Sequence, residues 1–209
     1  MNMKRASGIG LATALLLTTA AQAKDWKTVV IGMEGAYEPY NLTDPSGKIV
    51  GFEPDLVNDV CGRMKVECKI IAQDWDGMIP GLNAGKFDVI MDGMSITDER
   101  KKTIDFSKPY SQVPAAFAAA KASPLAKLPG LGKSYSLVKE EADAGKVIEE
   151  MKALLKGKVI GVQVSTTNAG FVEKYFKGIA EIRDYKTTEQ HDLDPVSYTH
   201  LTLPTILRV

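Results

Sequence analysis

Three observations predict an α/β protein with a mostly parallel sheet. Short β-branched apolar runs recur along the chain, amphipathic helical segments separate them, and Gly, Pro and Asp punctuate the joints. The composition agrees, because 209 residues that are 44% hydrophobic and 25% charged describe an ordinary folded chain with room for one or two small domains.

The run KTVVIGM over residues 27–33 is apolar and β-branched and reads as a buried strand. Residues 40–52 place Asp44-Pro45-Ser46-Gly47 between two moderately apolar arms, which is the chemistry of a hairpin turn. Pro54 and Asp55 open a helix on which Leu56, Val60 and Met64 recur on one face beside Val57 and Cys61; that face is expected to pack on the sheet. Residues 67–72 supply the next strand and complete a β-α-β unit. Residues 75–82 read as a short helix starting from Asp74, and residues 87–91 as a further strand after the stop signal at Gly85. Ligands in parallel sheets bind beyond the carboxyl ends of the strands, which singles out residues 92–97.

Pro109 and Pro114 then suggest a stiff crossover into an Ala-rich strand over residues 115–120. A Pro/Gly loop leads to a helical stretch ending near Gly157, with Val138, Ala142, Val147, Ile148, Met151, Leu154 and Leu155 as its apolar positions. Residues 159–164 form another buried strand. Ser165-Thr166-Thr167-Asn168 caps the helix that follows, to about Phe176, and a last helix begins near Thr188.

The formal net charge is zero and no long basic block occurs, so the electrostatic footprint of a nucleic-acid binder is missing and small molecules are the expected partners. Residues 1–23 have the order of a secretory signal. Lys4 and Arg5 precede an apolar run from Ile9 to Ala20, and Ala21-Gln22-Ala23 marks a cleavage site before Lys24. That run is too short to cross about 30 Å of hydrocarbon, so export to the periplasm with cleavage after Ala23 is expected. Export puts Cys61 and Cys68, the two cysteines of the chain, where a disulfide persists; two buried free thiols are the alternative. A zinc site is disfavoured because the two histidines, His191 and His200, lie far from them.

From Pro195 onward the sequence PVSYTHLTLPTILRV loses both periodicities where the helix from Thr188 should continue. The codons GTC TCT TAT ACA CAT CTG ACG CTG CCG ACG would encode Val196 to Thr205, and that string looks like a transposase sequencing-library adapter. Residues 195–209 are therefore expected to be an adapter-derived tail that interrupts the second domain and stands outside the fold.

Enzymatic constellations are few. Gly130-Leu131-Gly132-Lys133-Ser134 resembles a phosphate loop, but the earlier glycine of that motif falls on Lys127 and no clear strand precedes it. Asp74 and Asp76 read as a helix cap and a solvated residue rather than a catalytic dyad. What remains is a recognition set: Tyr37, Tyr40 and Trp75 as flat surfaces, Glu34 and Asp92 as anions, Ser95 and Thr97 as donors, Arg100 as a cation. Such groups suit a zwitterion, since arginine grips a carboxylate with two parallel hydrogen bonds and aromatic faces sandwich an aliphatic or cationic chain.

Four ordered motifs carry a resemblance: EGAYEPYN from Glu34, GFEPDL from Gly51, WDGMIPGL from Trp75 and DGMSITDER from Asp92, followed by IDFS from Ile104. Together they resemble the family 3 extracellular solute-binding proteins over residues 26–194, nearest to the lysine/arginine/ornithine and opine binders. The resemblance implies the type II periplasmic-binding-protein fold, with lobe 1 over residues 24–112, a hinge, and an incomplete lobe 2 over residues 113–194. It implies a non-enzymatic, monomeric receptor that closes on a free amino acid and delivers it to the membrane permease of an ABC importer, with no cofactor or metal. Tyr37 and Trp75 would stack on the ligand side chain and Glu34 would approach its distal cation. Gly93 and Ser95 would meet the ligand backbone, and Arg100, Thr166 and Thr167 its carboxylate. Cys61 and Cys68 match that branch's disulfide spacing. Asp92 departs from the small neutral or hydroxyl residue usual in relatives, which suggests a cationic ligand. The aspartate that holds the α-ammonium in relatives would lie beyond Asp194. Two alternatives are an exported enzyme on the same fold, of the cyclohexadienyl dehydratase kind, and a signalling receptor that presents its ligand to a membrane sensor.

Overall fold

The computed structural model describes residues 26–194 and the backbone of residues 199–207; the expected signal segment lies outside the described residues. The first lobe is built on β1 (Thr28–Met33), followed by β2 (Ala36–Tyr37), β3 (Asn41–Thr43) and β4 (Ile49–Val50), which form a small antiparallel sheet. Next come α1 (Phe52–Met64), β5 (Glu67–Ala72), a 3-10 turn (Trp75–Gly77), α2 (Met78–Asn83) and β6 (Val89–Ile90). In the parallel sheet β1 lies between β5 and β6, with Thr28 opposite Glu67 and Gly32 opposite Ile90. Burial on both faces explains why β1 reads as a continuous apolar run rather than an alternating one.

Helix α1 starts at Phe52, earlier than Pro54 and Asp55 suggest. Gly51 at its N-cap has φ 125°, and a Cβ there would sit 2.6 Å from the Tyr40 carbonyl oxygen, so the residue must be glycine. The face that packs inward also differs from the expected one. Glu53, Pro54, Val57 and Cys61 are buried, whereas Val60 and Met64 are 37% and 58% exposed. The physical reason is where the helix is tied down. Val57 and Cys61 pack with Val29, Ile31 and Met33, and a Cys61–Cys68 disulfide with Cα atoms 6.1 Å apart fixes the end of that stripe to β5. The alternative of two free thiols is thereby set aside. Lys65, in the left-handed region at φ 57°, ends the helix, and the Val66 amide donates to the Cys61 carbonyl.

Strand β6 is shorter than the run over residues 87–91. At Asp88 the amide still donates to the Val30 carbonyl at 2.8 Å, but the return bond from the Val30 amide goes to the Asp88 carboxylate, at 2.9 Å, in place of a main-chain carbonyl. Phe87 nonetheless remains in the core, its ring filling the space left by Gly32 and Gly81, where an added Cβ would come within 2.8 Å of it.

The second lobe contains β7 (Ala115–Ala118), a 3-10 turn (Pro124–Lys127), α3 (Glu141–Leu155), β8 (Val159–Gln163), α4 (Thr167–Phe176), β9 (Glu181–Tyr185) and α5 (Thr188–Leu193). Its core joins Ile148, Met151 and Leu155 of α3 to Ile160 and Val162 of β8 and to Val172 and Phe176 of α4. Strands β8 and β9 run parallel, with Val159 opposite Glu181 and Gln163 opposite Tyr185. Two positions expected to be apolar and buried are exposed: Val138, 83% exposed, lies in the turn before α3, and Leu154, 47% exposed, lies off the buried stripe of α3, which runs through Ala144, Ile148, Met151 and Leu155. In the tail, residues 199–207 form β10, which pairs antiparallel to β7 and parallel to β8. Strand pairing uses main-chain groups, so a segment without strand periodicity can take this place in the sheet.

Candidate functional site

The residues singled out for recognition follow the carboxyl ends of parallel strands. Glu34 follows β1, Asp92 and Gly93 follow β6, and Ser165 and Thr166 follow Gln163 at the end of β8. The two lobes meet there through direct hydrogen bonds. Gln163 Nε2 donates to Glu34 Oε1 at 2.7 Å and to the Lys186 carbonyl at 2.9 Å, and Thr188 Oγ1 donates to the Ala36 carbonyl at 2.8 Å.

Arg100 is held in a 3-10 turn whose first amide donates to Thr97 Oγ1. Its Nη1 donates to the Ser95 carbonyl at 2.8 Å within the first lobe, and its Nη2 donates to the Ser165 carbonyl at 3.0 Å in the second. Ser165 has φ 59°, a left-handed conformation costly for a non-glycine residue. The guanidinium also lies 5.5 Å from the Trp75 ring centroid, so one face of the tryptophan meets a protein cation. Trp75 Nε1 is buried and makes no hydrogen bond among the described residues.

Tyr37 stacks on Tyr40 with centroids 5.1 Å apart, and its edge crowds residue 93, where a Cβ would lie 3.0 Å from Tyr37 Cε1 and φ is 56°. Thr166 Oγ1 accepts from the Ala169 amide as the N-cap of α4 and donates to the Gln163 carbonyl, so its hydroxyl serves the helix end; Thr167 is the first residue of that helix.

Both acidic residues titrate high. Burial raises the Glu34 carboxyl to about 7, the Gln163 hydrogen bond works against the rise, and the Asp74 and Asp76 charges add to it. Asp92 is 3% exposed and is held well above the ordinary carboxylate range, by burial first and then by the Glu34 charge. Asp92 Oδ1 accepts from Asn41 Nδ2 at 2.7 Å, while Oδ2 has no hydrogen-bond partner among the described residues. The Glu34 main-chain N–H offsets the rise without making a bond of hydrogen-bonding geometry to Oδ2.

Sequence reasoning missed four contributors: Asn41, Glu53, Tyr110 and Gln163. Asn41 and Glu53 are fully buried behind the loops of Gly35 and Gly93, although both stand inside the recognised motifs. Gln163 closes an apolar strand, where its polarity alone marks it.

The model of the bacterial extracellular solute-binding proteins, family 3, matches residues 29–192. The octopine-binding periplasmic protein of Rhizobium meliloti is 46% identical over 187 residues, covering 90% of this chain and 64% of the relative. The L-arginine-binding protein of Pseudomonas aeruginosa is 34% identical, covering 93% of this chain and 66% of its own length. The chain thus spans slightly under two thirds of these relatives. Among solved structures, an ancestral arginine-binding protein bound to arginine superposes with a TM-score of 0.68 at 29% identity, over 84% of this chain and 70% of that one. An ancestral amino acid-binding protein described as a precursor of cyclohexadienyl dehydratase superposes with a TM-score of 0.66 at 28% identity, over 84% and 70%.

Proposed function

This chain belongs to the bacterial extracellular solute-binding proteins, family 3, and from that premise we propose that it is a periplasmic receptor for a cationic amino acid or an opine. The ligand is taken up between the lobes and passed to the permease of an ABC importer. The curated relatives described above are binding proteins, two of them for octopine and L-arginine.

The observation that carries the ligand class is the split of charge across the cleft. Arg100 stands on the Trp75 side with a guanidinium suited to an α-carboxylate, and Glu34 and Asp92 stand together at the strand ends, where a distal cation would meet them. A cationic ligand would relieve the cost of ionising this acidic pair. Tyr37, Gly93 and Ser95 supply the wall between the two poles, and Thr166 and Thr167 open the helix that faces the carboxylate pole.

Titration calorimetry with L-arginine, L-lysine, L-ornithine, octopine, L-histidine and L-glutamine tests this reading. Binding of at least one cationic amino acid or of octopine in preference to glutamine is expected; binding of none of the cationic ligands overturns it. A second reading, an exported enzyme, draws on the ancestral neighbour and on Glu34, whose carboxyl near 7 suits a general acid. Incubation with prephenate or arogenate is expected to yield no product, and turnover of either would replace the receptor reading.

A further inference from the structure

Behind the ligand-facing loops of the first lobe, one carboxylate gathers donors from three separate segments. Glu53, fully buried in the first turn of α1, accepts at Oε2 from Asn41 Nδ2 at 2.6 Å and at Oε1 from the Gly93 amide at 2.7 Å; the Tyr110 hydroxyl donates to the same Oε1 and itself accepts from the Gly93 amide at 3.0 Å. Asn41 extends the chain, since its Oδ1 accepts from the Gly35 amide at 2.7 Å. Gly35 and Gly93 both lie in the left-handed region, at φ 73° and 56°, and such turns have no side chain to lock them. Tyr110 belongs to the crossover between the lobes. The residue is 40% exposed, while its hydroxyl reaches inward to Glu53.

We propose that Glu53 is a positioning residue: through Asn41 and directly it holds the Gly35 and Gly93 turns in register, and through Tyr110 it ties both to the crossover on which the lobes pivot. The inference deepens the receptor reading and rests on it for its affinity arm. The donor pattern makes the role specific to a carboxylate. A glutamine at residue 53 has nearly the same shape but turns one acceptor into a donor. Placed toward residue 93, that NH2 confronts the Gly93 N–H, which cannot reverse. Placed toward Asn41, it forces the Asn41 amide to flip and removes the acceptor of the Gly35 N–H. In the first case the Gly93 N–H keeps only its 3.0 Å bond to the Tyr110 hydroxyl and in the second the Gly35 N–H loses its acceptor, so one turn is loosened either way, although Glu53 touches no ligand itself.

The test is Glu53→Gln in the full chain, with Val57→Ala as a control that weakens the same helix without reaching the loops. L-Arginine and octopine are titrated by calorimetry, thermal midpoints are recorded, and the Gly35 and Gly93 amide resonances are followed in the ligand-free protein. Glu53→Gln is expected to weaken binding about ten-fold or more, the scale of one lost charge-assisted hydrogen bond, and to shift at least one of the two glycine amides. Val57→Ala should lower the midpoint while leaving affinity within about two-fold and both amides in place, since the mutated site and the loops share no partner. Binding of Glu53→Gln within two-fold of the parent, or a loss that tracks the midpoint as in Val57→Ala, overturns the proposal. If Glu53→Gln does not fold, Tyr110→Phe decides through the Gly35 amide, which Tyr110 reaches by way of Glu53 and Asn41 rather than by its own 3.0 Å bond with the Gly93 amide: a shifted Gly35 amide supports the tie to the crossover, and an unmoved one rejects it. If the parent binds neither ligand, the affinity arm uses whichever other cationic amino acid it binds; if it binds none, the receptor reading fails, and the amide shifts alone decide the positioning role.

Discussion

Gln163 at the end of β8 donates to the Glu34 carboxylate at the end of β1, 2.7 Å across the cleft. One lobe therefore contributes the group that the other lobe's acid leans on, and the charge on that acid becomes a variable of closure. Glu34 titrates at about 7 because burial disfavours its anion more than the Gln163 amide favours it.

The pH dependence follows with a definite sign. A cationic ligand favours ionised Glu34, so affinity for L-arginine is expected to rise between pH 5 and pH 8 and to level off above the Glu34 value of about 7. Calorimetry in buffers of different ionisation enthalpy should show proton release at the low end. Glu34→Gln, which keeps an acceptor for Gln163, should flatten the profile. A profile that stays steep in that variant assigns the titration elsewhere.

Asp92 offers a stability test. Its folded-state value lies above its unfolded one, so the stability it contributes is present in acid and is lost as pH rises through the folded value. Asp92→Asn retains an acceptor for Asn41 and removes the titration. The thermal midpoint of the variant relative to the parent is expected to increase from pH 5 to pH 8.5, and a difference independent of pH would contradict the assignment.

Arg100 spans two carbonyls, Ser95 and Ser165, with separate nitrogens of one planar group. Lysine cannot serve both in that geometry. Arg100→Lys is expected to weaken L-arginine binding by about ten-fold or more, by the loss of a two-point contact, with little change in thermal midpoint. Calorimetry and a melting curve on the same sample separate the two effects.

The Cys61–Cys68 bridge closes a short loop between α1 and β5. Replacing both cysteines by serine is expected to cost about 2–3 kcal/mol in urea unfolding, as the unfolded chain regains the freedom of the loop. Binding should persist, because the bridge lies at the end of α1 away from the acidic pair.

Much of the scaffold was legible because it depends on local patterns. The apolar run of β1, the Glu67–Ala72 strand and the Thr166 cap with its helix are all visible in a window of a few residues, and each forms where those residues predict. Strand β9 was not legible: EIRDY mixes charge with only two large apolar positions, and it becomes a strand because β8 offers a free edge. The inward face of α1 was misjudged for a related reason. Leu56, Val60 and Met64 satisfy a helical period as well as Val57 and Cys61 do, and only the disulfide and the sheet beneath decide between them.

The sequence by itself determined the family, the order of its elements and the identity of the polar and aromatic groups at the strand ends, since these are carried by short contiguous motifs. The tertiary structure alone decided which of those groups meet: Glu34 with Gln163, Arg100 with Ser165, and Glu53 with Asn41, Gly93 and Tyr110. These pairs lie between 12 and 129 residues apart. The free energy of a buried hydrogen bond depends on the burial and direction of both partners, which no local pattern records and which the packed lobes supply together.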